Sequence, residues 1–227
     1  MKRILSASLA GAGFAALALH SAAAADLPSR SASPYYNPPP IFTWTGFYVG
    51  GNAGLNFGQF SGNGTNYFGN SFGGLYGVTA GYNYQSGNLV AGLEGDIDFG
   101  SVNGQNYPFP GAHASGNVTG EGSLRVRFGY ALDRALLYVT GGYTGANLKG
   151  SLADFSAAPN LYASQSAYLN GFVIGAGMEY ALTNNISVKA EYLFNDYGYA
   201  PYFSGTRDSM LSGAYLSSLK AGINYHF

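Results

Sequence analysis

The sequence predicts an all-β fold: eight antiparallel strands, joined up and down and closed into a transmembrane β-barrel. Three observations carry the prediction. Eight segments alternate apolar with small or polar residues at period two. The breaks between them alternate short and long. Charged residues collect on one parity of the segments, opposite a parity of aliphatic and aromatic side chains.

Two stretches precede the first segment. Residues 1–25 read as an export signal: Lys2 and Arg3 form a positive start, Ile4 to Leu19 is apolar, and SAAAAD supplies small residues for cleavage after Ala24 or Ala25. Residues 26–45 read as a linker, with LPSRSASPYYNPPP carrying five prolines. Proline favours extended backbone, so at ~3.1 Å per residue its residues 26–41 could reach roughly 50 Å. The barrel is expected over 46–227.

Its segments run Gly46–Phe57, Phe72–Gln85, Asn88–Gly100, Thr119–Leu132, Ala135–Asn147, Leu169–Leu182, Asn185–Asp196 and Gly213–Phe227. The breaks 58–71, 101–118, 148–168 and 197–212 are long, and the three between them are short. In an up-and-down sheet this puts all short turns at one end, the periplasmic one, and the linker with them.

The parities decide which face meets lipid. One holds Phe47, Val49, Leu55, Leu93, Ile97, Val126, Phe128, Ile174, Met178, Val188 and Phe194, and is expected to be free of charge. The other holds Glu94, Asp96, Asp98, Glu121, Arg125, Arg127, Glu179, Lys189, Glu191 and Lys220, six acids and four bases. A soluble barrel would turn the apolar face inward. Here the inward alternative, with Gly50, Asn52, Gly54, Asn56, Gly77, Thr79 and Gly81, would make a poor dry core. The apolar parity also carries Tyr76, Tyr82, Tyr84, Tyr130, Tyr143, Tyr180, Tyr192, Tyr215 and Tyr225, the girdle expected at lipid–water boundaries. The charges therefore face the lumen. They are expected to pair: Glu94 and Asp96 with Arg125 and Arg127, Glu179 with Lys189, Glu191 with Lys220. Eight strands leave a bore that side chains fill, so a plugged lumen is expected.

Composition narrows the function classes. Charged residues are 9% of the chain, against about 25% in ordinary soluble proteins. A net charge of −1 with 10 Lys+Arg offers no basic patch for nucleic acid. The chain has no cysteine, which removes disulfides and thiolate chemistry. Beyond the signal, no stretch reaches 18 consecutive apolar residues.

AADLPSR, the proline-rich stretch, FTWTGFYVGGNAG (Phe42–Gly54) and the closing INYHF resemble a known family. It comprises the small outer-membrane β-barrel proteins of alphaproteobacteria, the outer-membrane immunogenic protein or porin family, with an OmpA-like eight-stranded barrel. The resemblance implies an outer-membrane surface protein, set in outer-membrane lipid, that supports envelope integrity. It also implies that Ala221, Ile223, Tyr225 and Phe227 form the aromatic-ended signal read by the barrel-assembly machinery. The N-terminal Ala25-Asp26 is a candidate for covalent attachment to peptidoglycan. Some relatives bind haemin or host cells, and no motif for either carries over residue by residue. Surface binding through the loops, which hold Tyr107, Phe109, Phe155, Tyr162, Tyr199, Tyr202 and Phe203, is the second reading, and a small-solute pore the third.

No enzyme, cofactor or metal is expected. Of three histidines, His20 leaves with the signal, His113 sits in a long break and His226 at the periplasmic end. Glu94-x-Asp96-x-Asp98 has the look of a cation site, but Arg125 and Arg127 on the next segment favour ion pairs. Asn63-Gly-Thr65 and Asn117-Val-Thr119 match a glycosylation sequon, which carries no weight in a bacterial envelope protein.

Overall fold

A computed structural model describes residues 42–62, 68–108, 110–156, 160–202 and 210–227. The export signal, most of the linker including Ala25 and Asp26, and the loop positions 63–65, Phe109 and Phe203 lie outside the described residues. Eight strands form a closed antiparallel barrel: β1 (Gly46–Gly62), β2 (Asn70–Ser86), β3 (Leu89–Asn106), β4 (Ala112–Leu132), β5 (Ala135–Asp154), β6 (Leu161–Ala181), β7 (Ile186–Tyr202) and β8 (Met210–His226). Each strand pairs with its sequence neighbours, and β8 closes on β1, with Ala53 opposite Ala221. The N-terminal boundary moves from the expected 46 to 42, because Phe42 to Thr45 pack with the barrel.

The short turns follow from their residues. Ser86 pairs with Leu89 around Gly87-Asn88, and Gly87 takes φ +59°, which glycine adopts without a Cβ clash. Leu132 pairs with Ala135 around Asp133-Arg134, where Asp133 holds φ +57°, a conformation Asp tolerates better than most residues. In the third turn the Thr183 hydroxyl accepts from the Asn185 and Ile186 amides at 3.2 and 3.0 Å.

The outward face is an apolar band. Along β1 it runs from Phe47 to Phe57, 11 residues. At ~3.3 Å per residue and a tilt near ~40°, that is about 25 Å, the height of an outer-membrane hydrocarbon layer. Aromatic rings border it: Tyr82, Tyr84, Tyr130, Tyr180, Tyr225 and Phe227 at the short-turn end, Phe57, Phe72, Phe99, Tyr143 and Phe172 at the other, all exposed. Polar side chains take over beyond that outer row, with Gln59, Asn70, Ser101, Asn117, Asn147 and Asn170 pointing outward.

Two expectations change here. The long breaks are mostly strand, since β3 to β6 carry the ladder to 18, 21, 20 and 21 residues. The period-two signal stops at the boundary because the two faces exchange character there. Above the band the outside is polar and the inside apolar, with Phe60, Val102, Ala114, Leu148, Leu152, Leu169 and Leu216 buried. In β4 a bulge between Val118 and Gly120 also reverses which parity points inward. The second correction concerns Asp196. It lies on the outward parity of β7, opposite Phe172 of β6, at the upper edge of the band. The apolar parity is thus uncharged through the lipid but not to its ends.

The lumen has three layers. At the short-turn end Trp44 packs with Val90, Ala131, Leu136, Tyr138 and Ala181, and Phe42 lies against them. At the outer end Phe60, Phe68, Tyr197 and aliphatic side chains form a larger apolar layer. Between them lie the charges. Small inward residues make room for the large ones: a Cβ on Gly81 would strike the Tyr48 ring, and one on Gly177 the Tyr138 ring. The glycines of the inner face therefore serve packing, not a water-filled bore.

Candidate functional site

The middle layer gathers ten charged residues of the inward parity, each nine-tenths or more buried, while Asp154, also buried on the inward parity, stands apart at the outer end of β5. β3 supplies three carboxylates at two-residue spacing, so Glu94, Asp96 and Asp98 point the same way. β4 places Arg125 directly opposite Glu94, and their side chains meet at 2.6 Å. Arg125 also reaches Asp96 at 3.3 Å and, across the lumen, Glu191 at 3.1 Å. Arg127 bridges Glu94 at 3.3 Å and Glu179 at 2.8 Å. The contacts of Arg125 and Arg127 with Glu94 and Asp96 are the expected β3–β4 pairs.

The other two expected pairs do not form. Glu179 and Lys189 are register partners, as are Glu191 and Lys220. Yet the Lys189 ammonium crosses the barrel to Glu94 at 2.9 Å. Lys220 goes to Asp98 at 2.5 Å, Asp96 at 3.2 Å and Glu121 at 3.3 Å. The reason is local. Asp98 faces Glu121 directly across β3–β4, and like charges so placed repel. Lys220, from the far wall, is the cation that separates them. The β3 carboxylates are thus each engaged by a lysine or arginine, the arrangement expected over a cation site.

Neutral groups complete the layer. The Tyr48 hydroxyl donates to Glu94 at 2.8 Å and accepts from Arg127 at 2.7 Å. The Arg127 guanidinium lies 4.0 Å from the Tyr138 ring centroid, and Tyr138 donates to Glu191 at 3.3 Å. Asn56 and Tyr197 each donate to Glu121 at 3.0 Å, and Ser123 to Asp96. Asn224 donates to Glu179 at 2.6 Å. Sequence reasoning left these partners out. They stand on the same inward faces as the charges, so that parity was the signal that could have found them.

Ser187, His226 and Glu179 meet at the short-turn end. The Ser187 hydroxyl lies 2.8 Å from His226 Nε2 and donates to Glu179 at 2.5 Å. Glu179 approaches the same Nε2, at 3.5 Å. A nucleophilic triad needs the serine and the acid on opposite ring nitrogens, so that the acid orients the base. Here both share one nitrogen, and Trp44 covers the group with its ring 5.7 Å from the imidazole. The cluster is built as packing. His113 lies at the other end, edge-on to Tyr107 at 5.2 Å. Among the described residues no group of His, Cys, Asp and Glu has the arrangement of a metal site.

The remaining expected residues sit on β8 and just after it. Ala221, Ile223 and Tyr225 face outward, and the Phe227 amide donates to the Phe47 carbonyl at 3.1 Å on the β1–β8 seam.

The model of the outer membrane protein beta-barrel domain matches residues 12–227. The chain belongs to this outer-membrane β-barrel family. Among its relatives is the 31 kDa outer-membrane immunogenic protein of Brucella melitensis, 33% identical over the full length of both chains. Another is the 22 kDa outer membrane protein of Rhizobium leguminosarum, 33% identical over 83% of this chain and 80% of that one. Of solved structures, a major outer membrane protein from Thermus thermophilus is similar at TM-score 0.49 and 16% identity, covering 79% of this chain and 99% of that one. As a member of the family this protein resides in the bacterial outer membrane, with its belt in lipid.

Proposed function

We propose that this protein is a closed, non-catalytic barrel that supports the outer membrane mechanically and ties it to peptidoglycan through Ala25-Asp26. One observation carries the closed-barrel reading: the lumen holds ten charges in mutual contact between two apolar layers. An ion crossing it must separate several buried ion pairs and both layers, at a cost of about 3–5 kcal/mol for each buried charge left without its partner. This also argues against the small-solute pore. Recording in planar bilayers tests it. Stable conductance of porin size from the purified protein would overturn the reading.

The tether rests on the linker. Its sequence carries five prolines, which favour extended backbone, and sixteen residues at ~3.1 Å each would span roughly 50 Å, enough to leave the membrane surface. Digesting isolated cell-wall sacculi with muramidase should release muropeptides joined to a peptide starting at Ala25 or Asp26. If mass spectrometry finds only free mature N-termini, the tether is wrong while the closed barrel stands.

Assembly is proposed to depend on Ala221, Ile223, Tyr225 and Phe227 as the signal read by the assembly machinery. The Phe227 ring is exposed, and its backbone adds one seam hydrogen bond, worth about 1 kcal/mol. Deleting Phe227 should therefore lower the amount of assembled barrel in cells severalfold and barely change the urea midpoint of refolded protein. Wild-type amounts of heat-modifiable barrel in cells would contradict it.

A further inference from the structure

The polar collar above the lipid belt is not uniform. β3 to β6 reach 18 to 21 residues, while the other four strands have 17 each, so the wall rises higher on the β3–β6 side. On that side a shallow groove of about 660 Å³ crosses the outer flank of β2 to β5. Asn103, Gln105, Ser115, Asn117, Lys149 and Ser151 line it, and all are exposed or half-exposed. Its chemistry is that of amides and hydroxyls with one ammonium. Lys149 has no ion-pair partner among the described residues. Among the described residues the other charge on the outward collar, Asp196, stands on β7, across the ring from β3.

We propose that this groove seats the phosphorylated sugar headgroup of an outer-leaflet glycolipid. Depth is the first argument. Ser101 and Asn103 stand two and four residues beyond Phe99 along β3, and Asn147 and Lys149 four and six beyond Tyr143 along β5. The aromatic row marks where hydrocarbon ends, so the groove opens sideways at headgroup level and not upward into the medium. Donor and acceptor chemistry is the second. Asn and Gln amides and Ser hydroxyls each donate and accept, as vicinal sugar hydroxyls require of a partner. Asn117 and Ser101 already show this reciprocity, exchanging contacts at 3.1 and 3.3 Å. Charge is the third. Lys149 offers a point charge for phosphate on this flank, and Asp196 disfavours phosphate on the opposite one. A phospholipid headgroup would satisfy the ammonium and leave the hydroxyl and amide ladder unmatched.

The test uses the full mature protein in phospholipid nanodiscs and, as probe, a rough lipopolysaccharide with its sugar phosphates intact. Wild-type protein should bind it. Lys149→Glu should weaken binding about tenfold, the worth of one charge-assisted contact, and enzymatic removal of the phosphates should weaken wild-type binding similarly. The Asn103→Ala/Asn117→Ala pair should weaken it with the phosphates present or absent. Asp196→Asn should change it less than about twofold. Heat-modifiable migration verifies that each variant is folded. Equal binding by Lys149→Glu would overturn the proposal, as would equal binding of the lipid-free core oligosaccharide, which would mark a soluble-saccharide site. The outcome is independent of whether the lumen conducts.

Discussion

Replacing Glu94 by Gln should lower the stability of the folded barrel by about 3–5 kcal/mol, the usual cost of removing one partner from a buried ion pair. Glu94 is the hub of the lumen. Arg125, Arg127, Lys189 and the Tyr48 hydroxyl all meet its carboxylate. Gln keeps the shape and removes the charge. Arg125 would still have Asp96 and Glu191, and Arg127 would still have Glu179. Lys189, whose ion pair among the described residues is with Glu94, would be left buried and uncompensated. That asymmetry makes the prediction specific. Glu94→Gln/Lys189→Met should recover part of the loss, because deleting both members of a buried pair costs less than orphaning one. Urea unfolding of protein refolded into vesicles reads both numbers. A double variant no more stable than Glu94→Gln would show that Lys189 is not where the cost arises.

Replacing Trp44 by Ala should cost a similar amount, about 3–5 kcal/mol, by a different route: lost burial and an unfilled space. Trp44 is fully buried, packs edge-on against Phe42 at 4.9 Å and covers His226. Its backbone amide donates to Gln85 at 2.8 Å, which stitches the entry segment to the end of β2. Trp44→Phe should retain most of the stability, since a ring still fills the layer. Trp44 is the one tryptophan of the chain, so wild-type fluorescence reports this layer alone. The native emission should resist quenching by acrylamide and become accessible on unfolding. Free quenching in the folded barrel, or a wild-type midpoint for Trp44→Ala, would mean that the short-turn end is open.

Much of this was legible in one dimension. The eight strands and their order were read from alternation, and the lipid-facing parity from where charges and aromatic rings fall; ten inward charges were read the same way, and Asp154, at the outer end of β5, was not. The upper strand halves were missed. There Phe60, Val102 and Leu148 carry the apolar phase on the inner face, and alternation read as a single pattern breaks where that phase changes sides. The four residues ahead of β1 were assigned to the linker because they alternate with nothing. Only packing reveals that Trp44 closes the lumen.

The sequence by itself determined the architecture and its solvent. Side-chain alternation is a local property of extended chain, and about 25 Å of hydrocarbon demands an unbroken apolar face on every strand. Tertiary structure alone decided the wiring of the lumen. Neighbouring strands offered Glu179 to Lys189 and Glu191 to Lys220, yet Lys189 reaches Glu94 from β7 to β3, 95 residues away. Closure of eight strands brings opposite walls within one side-chain length, so a buried cation goes where carboxylates crowd. The carboxylates crowd at Glu94, Asp96, Asp98 and Glu121, a concentration that register and curvature create together.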